Sequence, residues 1–114
     1  MFATFKQFEI FNRVIGRVTI FMMYMITFRN TDVPVNAMKG YYGHTLGAAG
    51  VLETLLSMRA VEAGVVPATR GFDELGVSMP VPVSSEAVDT QKNAFVKLLS
   101  GFGGCNAAAA FVRV

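Results

Sequence analysis

Between Thr45 and Ala63 the apolar residues Leu46, Ala49, Leu52, Leu55, Leu56, Ala60 and Ala63 recur at helical spacing, with Glu53, Arg59 and Glu62 interspersed and Gly64 as a stop. The spacing predicts a helix over 45–63, the most strongly marked element of the chain. Its first turn is made of Gly47, Ala48, Ala49 and Gly50. Four small residues cost helix stability, so their place at the helix mouth implies that another backbone or a thin substrate passes close to it. Just ahead of that turn stands Lys39-Gly-Tyr-Tyr-Gly-His44, a cation and an imidazole. Unpaired N–H groups at a helix start carry partial positive charge, which favours a neutral His44 that donates one hydrogen bond and polarises a carbonyl. A plainer reading of the same residues is a capping histidine and a small-residue surface for helix packing.

Around this helix the punctuation is dense. Asp32-Val-Pro-Val-Asn36 reads as a short strand whose Pro34 suits its start or edge, followed by a loop through Lys39–Gly43. Val65-Val66-Pro67 leaves the helix in extended form, and Gly71 to Pro82 is a turn-rich connection broken by Gly76, Pro80 and Pro82. Ala94–Leu99 and Ala107–Val114 flank Ser100-Gly-Phe-Gly-Gly-Cys-Asn106 and read as two strands joined by a glycine-rich turn. Ala107 to Ala110 alone would favour helix, but the Phe-Val-Arg-Val ending and the short turn favour a strand packed closely on both faces. The organisation expected is an apolar amino-terminal segment, 1–31, and an α/β portion, 32–114.

Composition bounds the function. The chain is 53% hydrophobic and 16% charged, with seven Met and ten Phe in 114 residues, more apolar surface than so short a chain easily hides. That excess predicts a missing partner surface, with poor solubility or self-association of the chain alone. The net charge of +2 arises from scattered basic residues without a Lys/Arg run, which sets nucleic acid aside. The apolar run Val18–Phe28 behind Arg13 and Arg17 is short of the roughly 20 residues a spanning helix needs and no small-residue cleavage site follows, so neither a membrane anchor nor a signal peptide is expected. One cysteine, Cys105, fits a reducing compartment, the cytoplasm by default.

The string Lys39-Gly-Tyr-Tyr-Gly-His-Thr-Leu-Gly-Ala-Ala-Gly-Val-Leu-Glu53 resembles the signature of the β-ketoacyl-acyl-carrier-protein synthases. Gly101-Phe102-Gly103-Gly104-Cys105-Asn106 is similar to the glycine-rich turn near the carboxyl end of the same enzymes, at the family's spacing. The resemblance covers about 80 of the 114 residues. It implies the C-terminal portion of a thiolase-like layered α/β/α fold, in a family of acyltransferases that condense an acyl thioester with malonyl-acyl carrier protein in fatty acid or polyketide synthesis. By position His44 matches the second catalytic histidine, Lys39 the motif lysine and Glu53 the glutamate that follows. Pairing of Lys39 with Glu53 is the role expected of the lysine, with Phe102, Gly103, Gly104, Asn106 and Ser100 shaping the site. No metal or cofactor is implied, because the substrates ride on the phosphopantetheine of acyl carrier protein. That carrier and a homodimer, or a heterodimer with a complete synthase subunit, are the partners implied.

Three positions depart from the family pattern. The acylated cysteine of the family stands upstream of the lysine motif, whereas Cys105 falls at the variable position of the glycine-rich turn. Ser100 occupies the place of an aromatic gate residue. Ile15-Gly-Arg-Val-Thr19 has isoleucine where the first catalytic histidine would stand. These departures predict a truncated product, a degenerate copy or a split subunit that does not catalyse by itself. The rival expectations are a non-catalytic partner that shapes the chain-length pocket of a complete synthase and a small membrane-associated protein.

Overall fold

The computed structural model describes residues 5–14, 32–76, 80–101 and 105–114. In chain order the elements are β1 (Phe5–Val14), α1 (Lys39–Tyr42), a 3-10 turn over Leu46–Ala48, α2 (Ala49–Ala63), β2 (Val65–Val66), β3 (Val88–Asp89), β4 (Ala94–Ser100) and β5 (Cys105–Arg113). They fall into two compact units, Met1–Thr31 with Asn93–Val114 and Asp32–Lys92. The apolar run Val18–Phe28, the segment Ile15–Thr19 and the turn residues Phe102, Gly103 and Gly104 lie outside the described residues.

The first unit is an antiparallel sheet in the order β1-β5-β4. The two strands expected on either side of the glycine-rich turn are β4 and β5. Ala107–Ala110 lie in the central strand, where a neighbour on each side supplies backbone partners that outweigh the alanines' helical preference. Phe95 stands opposite Phe111 and their rings stack with centroids 4.8 Å apart. The turn closes with the Gly101 N–H donating to the Cys105 carbonyl at 2.6 Å.

The second unit is built around α2. The helix begins at Ala49 instead of Thr45, after the 3-10 turn, and ends where the sequence places its stop. Gly64 adopts the left-handed conformation (φ 69°) and turns its N–H back on the carbonyls of Ala60 and Val61, which releases the chain into β2. Thr90 N–H then donates to the Gly64 carbonyl at 2.8 Å, seating the antiparallel β2–β3 pair. The strand expected over 32–36 is reduced to one parallel bridge, Val35 to Val83. Pro34 and Pro82 flank that bridge and have no N–H to extend the ladder.

Where a loop was expected at Lys39–Gly43 the chain makes one helical turn, α1, closed by the Gly43 N–H on the Lys39 carbonyl at 2.8 Å. Its second residue must be glycine, because a Cβ at Gly40 would run into the carbonyl oxygen of Arg70. Around Gly47, by contrast, a Cβ would meet nothing within 4 Å. Gly40→Ala is therefore expected to destabilise the chain by about 1–3 kcal/mol, as an overpacked core substitution does. Gly47→Ala should be neutral or stabilising by up to about 1 kcal/mol. Urea unfolding of the two variants beside the parent chain checks the contrast.

Candidate active site

α1 and α2 flank a short loop that carries His44, and an ion pair ties the two helices together across it. Lys39 Nζ on α1 bonds Glu53 Oε1 on α2. The pair is lopsided, for the Lys39 side chain is 41% exposed and that of Glu53 only 7%. Glu53 is thus a buried carboxylate, held by a cation that still meets solvent. The pairing expected of these two residues is present.

His44 is exposed, two residues ahead of the 3-10 turn. The Leu46 N–H donates to its Nδ1 at 2.9 Å. That bond requires a lone pair on Nδ1, so the ring proton sits on Nε2 and the free edge of the imidazole is a hydrogen-bond donor. The sequence anticipated a donating His44 and assigned the cause to a helix start. The group that sets the tautomer is one N–H at such a start, that of Leu46, the first residue of the 3-10 turn ahead of α2. It is brought to bear by a left-handed Leu46 (φ 50°), unusual for a leucine.

Tyr42 was not singled out in the sequence, though it lies three residues after Lys39 on the same face of α1. Its hydroxyl is buried and has no hydrogen-bond partner among the described residues. Burial first, then the negative charge of Glu53, raise the phenol above its ordinary value, and Lys39 offsets part of that shift. Asn36 Nδ2 and Thr45 Oγ1 are also buried without partners. Nearby, Tyr41 donates its hydroxyl to the Ala68 carbonyl at 3.0 Å, with the Arg70 guanidinium 6.0 Å from its ring centre.

Of the residues near the glycine-rich turn, Ser100 and Asn106 are opposite one another at the β4–β5 end, in the sheet unit. Ser100 Oγ donates to Asn106 Oδ1 at 2.8 Å, and Asn106 is buried. Cys105 opens β5 as an exposed free thiol. Lys39, His44 and Glu53 belong to the other unit. Among the described residues no group of three or more His, Cys, Asp or Glu is arranged to hold a metal ion, and no helix is long and apolar enough to cross a membrane.

The pattern described as the β-ketoacyl synthase C-terminal domain matches residues 22–73, a stretch that contains α1, the His44 loop and α2 and begins within the amino-terminal segment set apart above. A tetracenomycin polyketide synthase ketoacyl synthase alpha subunit of Streptomyces glaucescens is 36% identical over 86 residues, covering 75% of this chain and 20% of that protein. A mitochondrial 3-oxoacyl-(acyl-carrier-protein) synthase of Arabidopsis thaliana is 35% identical over 86 residues, 69% of this chain and 18% of the relative. For 3-oxoacyl-(acyl-carrier-protein) synthase 1 of Escherichia coli the figures are 31% over 81 residues, 70% and 20%. The chain belongs to the β-ketoacyl synthase family. It spans about a fifth of the length of these relatives, and its mixed helices and strands are part of a thiolase-like α/β fold. Within that family the structure supplies the local geometry of the histidine loop.

The lopsided ion pair predicts lopsided mutants. Glu53→Gln leaves a lysine that water solvates, whereas Lys39→Met strips a buried carboxylate of a charged donor. Lys39→Met should therefore cost about 1–3 kcal/mol more than Glu53→Gln in urea unfolding. The raised phenol gives a second expectation. The folded chain holds the Tyr42 proton more tightly than the unfolded chain does, so its contribution is complete below the ordinary value of 10.0 and is lost as pH climbs through the folded value. Tyr42→Phe should make the alkaline loss of stability shallower, measured as the urea midpoint at pH values from about 9 upward.

Proposed function

We propose that this chain carries part of the active site of a 3-oxoacyl-acyl-carrier-protein synthase, acting in the decarboxylative condensation of an acyl thioester with malonyl-acyl carrier protein in fatty acid or polyketide biosynthesis. The observation that carries the proposal is the Leu46-to-His44 hydrogen bond, which commits Nδ1 as acceptor and leaves Nε2–H outward. A donor of that kind suits a thioester carbonyl. When malonyl carbon–carbon cleavage releases carbon dioxide, the bonding electrons pass to the α-carbon and spread onto the thioester oxygen. A hydrogen bond from His44 Nε2 to that oxygen strengthens as charge builds, so it stabilises the transition state more than the ground state. The carbanion then forms the new bond to the acyl carbonyl, and the thiolate that carried the acyl group leaves.

In this reading Lys39 and Glu53 act on the loop and not on the substrate: they fix α1 against α2 so that Leu46 N–H meets the imidazole. Ser100, Asn106 and the turn residues Phe102, Gly103 and Gly104 would shape the acyl pocket. The nucleophile must come from elsewhere, because the sole cysteine, Cys105, follows the lysine motif and begins a strand. A synthase subunit containing that cysteine, within a dimer in the cytoplasm, and acyl carrier protein are the partners proposed. The substrates bring their own phosphopantetheine, so no resident cofactor is invoked. A second reading, a non-catalytic subunit that shapes the pocket of a complete synthase, is favoured by the position of Cys105 alone.

The two readings separate on one experiment. Malonyl-acyl-carrier-protein decarboxylation is measured for the purified chain, with and without a cysteine-containing synthase subunit, for the parent sequence and for His44→Ala. Activity only with the subunit, reduced about 100-fold or more in His44→Ala, supports a working piece of a divided active site. Partner-dependent activity unchanged by His44→Ala would overturn the catalytic role and leave the pocket-shaping one. The tautomer is checked without turnover. His44 is the one histidine in the chain, so the imidazole nitrogen spectrum of labelled protein should show a protonated Nε2 and an unprotonated Nδ1 at neutral pH.

A further inference from the structure

The parallel bridge of Val35 with Val83 begins a ladder, with the Val35 N–H on the Pro82 carbonyl at 2.9 Å. Continued by one step, that ladder would send the Ala37 N–H to the Ser84 carbonyl. Thr69 stands in that step. Its own N–H takes the Ser84 carbonyl at 2.8 Å, and its Oγ1 accepts the Ala37 N–H at 3.1 Å. A side-chain hydroxyl thus replaces a strand partner, and the Thr69 carbonyl, accepting from the Phe72 N–H at 3.2 Å, closes the turn that follows.

Ala37 lies two residues ahead of α1, whose single turn has no capping side chain and no acidic residue near its start. A lone turn does not persist by its own hydrogen bonds, so something outside it must hold it. The neighbours of Thr69 contribute to that hold. The Ala68 carbonyl accepts the Tyr41 hydroxyl at 3.0 Å, and the Arg70 carbonyl lies where a side chain at Gly40 would begin. Residues 68–70 therefore touch α1 and its lead-in at Ala37, Gly40 and Tyr41. His44 leaves the far end of the same turn, just after Gly43.

We propose that Thr69 is a positioning residue for His44: its hydroxyl seats the start of α1 on the 68–70 segment, so that the imidazole at the other end of the turn meets the Leu46 N–H. The position calls for a hydroxyl that accepts beside a backbone N–H that donates, which serine keeps and valine, of similar shape to threonine, loses. The inference rests on the reading of His44 as the donor to the thioester oxygen. Its first readout uses no turnover, so its failure and the failure of that reading are seen separately.

The experiment compares the full chain with Thr69→Val, Thr69→Ser and Tyr41→Phe. Each is read by the imidazole nitrogen spectrum of His44, by urea unfolding, and by malonyl-acyl-carrier-protein decarboxylation with the cysteine-containing subunit. Ala37 is exposed, so in Thr69→Val water takes up its N–H and the unfolding constant should rise about tenfold or less. The two nitrogen resonances, held apart by one tautomer in the parent, should move toward each other in Thr69→Val as the Nδ1–H form is populated, and Thr69→Ser should restore them. Tyr41→Phe removes one hydroxyl from an exposed ring and should move them the same way by less, an answer that stands even where Thr69→Val does not fold. With the subunit, kcat of Thr69→Val should fall about tenfold or more while KM changes about twofold or less. Parent-like resonances in Thr69→Val and Tyr41→Phe, or equal shifts in Thr69→Val and Thr69→Ser, would overturn the proposal. The expected shifts without decarboxylation in any chain, the parent included, would overturn the proposed reaction and support Thr69 as the residue that places His44.

Discussion

The buried carboxylate of Glu53 is the constraint around which the second unit is arranged. Placed on α2 away from water, it demands a charged partner, and Lys39 supplies one from α1 across the loop that contains His44. The pair therefore fixes both ends of that loop, and the loop has little slack. Gly40 lies so close to the Arg70 carbonyl that α1 has no room to shift toward it. Leu46 bends into a left-handed conformation at an expense on the order of 1 kcal/mol, a strain smaller than the penalty of leaving a buried carboxylate unpaired. The stronger demand wins, and the result is a backbone N–H directed at one nitrogen of an imidazole.

α2 also inverts the usual polarity of a surface helix. It buries Glu53 and Ala49, while Leu55 and Val51 are more than half exposed, as is Leu46 just ahead of it. Among the described residues only Met38 and Ala49 are buried apolar side chains, so the second unit has hardly any core by itself. Such a helix has the composition of one enclosed on all sides, and the relatives about five times as long have the material to enclose it. The apolar excess in the composition and the exposed aliphatic side chains express the same fact at two levels.

Much of this was legible in the sequence. The stop at Gly64, the extended exit through Val65 and Val66 and the β4–β5 hairpin follow from local chemistry: a left-handed glycine, β-branched residues and a glycine-rich turn, while the pairing of Lys39 with Glu53 came with the family resemblance. The misses have a common cause in non-local contact. Helical spacing puts Leu46 and Leu55 among the apolar residues of the helix, but spacing does not report what covers them. Asp32 to Asn36 looks like a strand, yet its ladder is limited by a proline on the partner segment nearly fifty residues away. The buried hydroxyl of Tyr42 left no trace in the pattern, because a tyrosine between Tyr41 and Gly43 gives no sign of where its oxygen ends up.

The same distinction explains why the histidine loop is informative while Leu46 itself is not. A side chain that oriented His44 would have to be a particular residue type, and a reader of the sequence could look for it. Here the orienting group is a peptide N–H, which every residue but proline has, so the chemistry imposes no identity at that position beyond tolerance of a left-handed backbone. What the sequence must specify instead is the frame that aims the N–H: the glycine that admits Arg70, the lysine and glutamate that clamp the helices, and the small residues that begin α2. These are the residues of the motif. The imidazole is thus held by a group that no substitution at Leu46 other than proline removes.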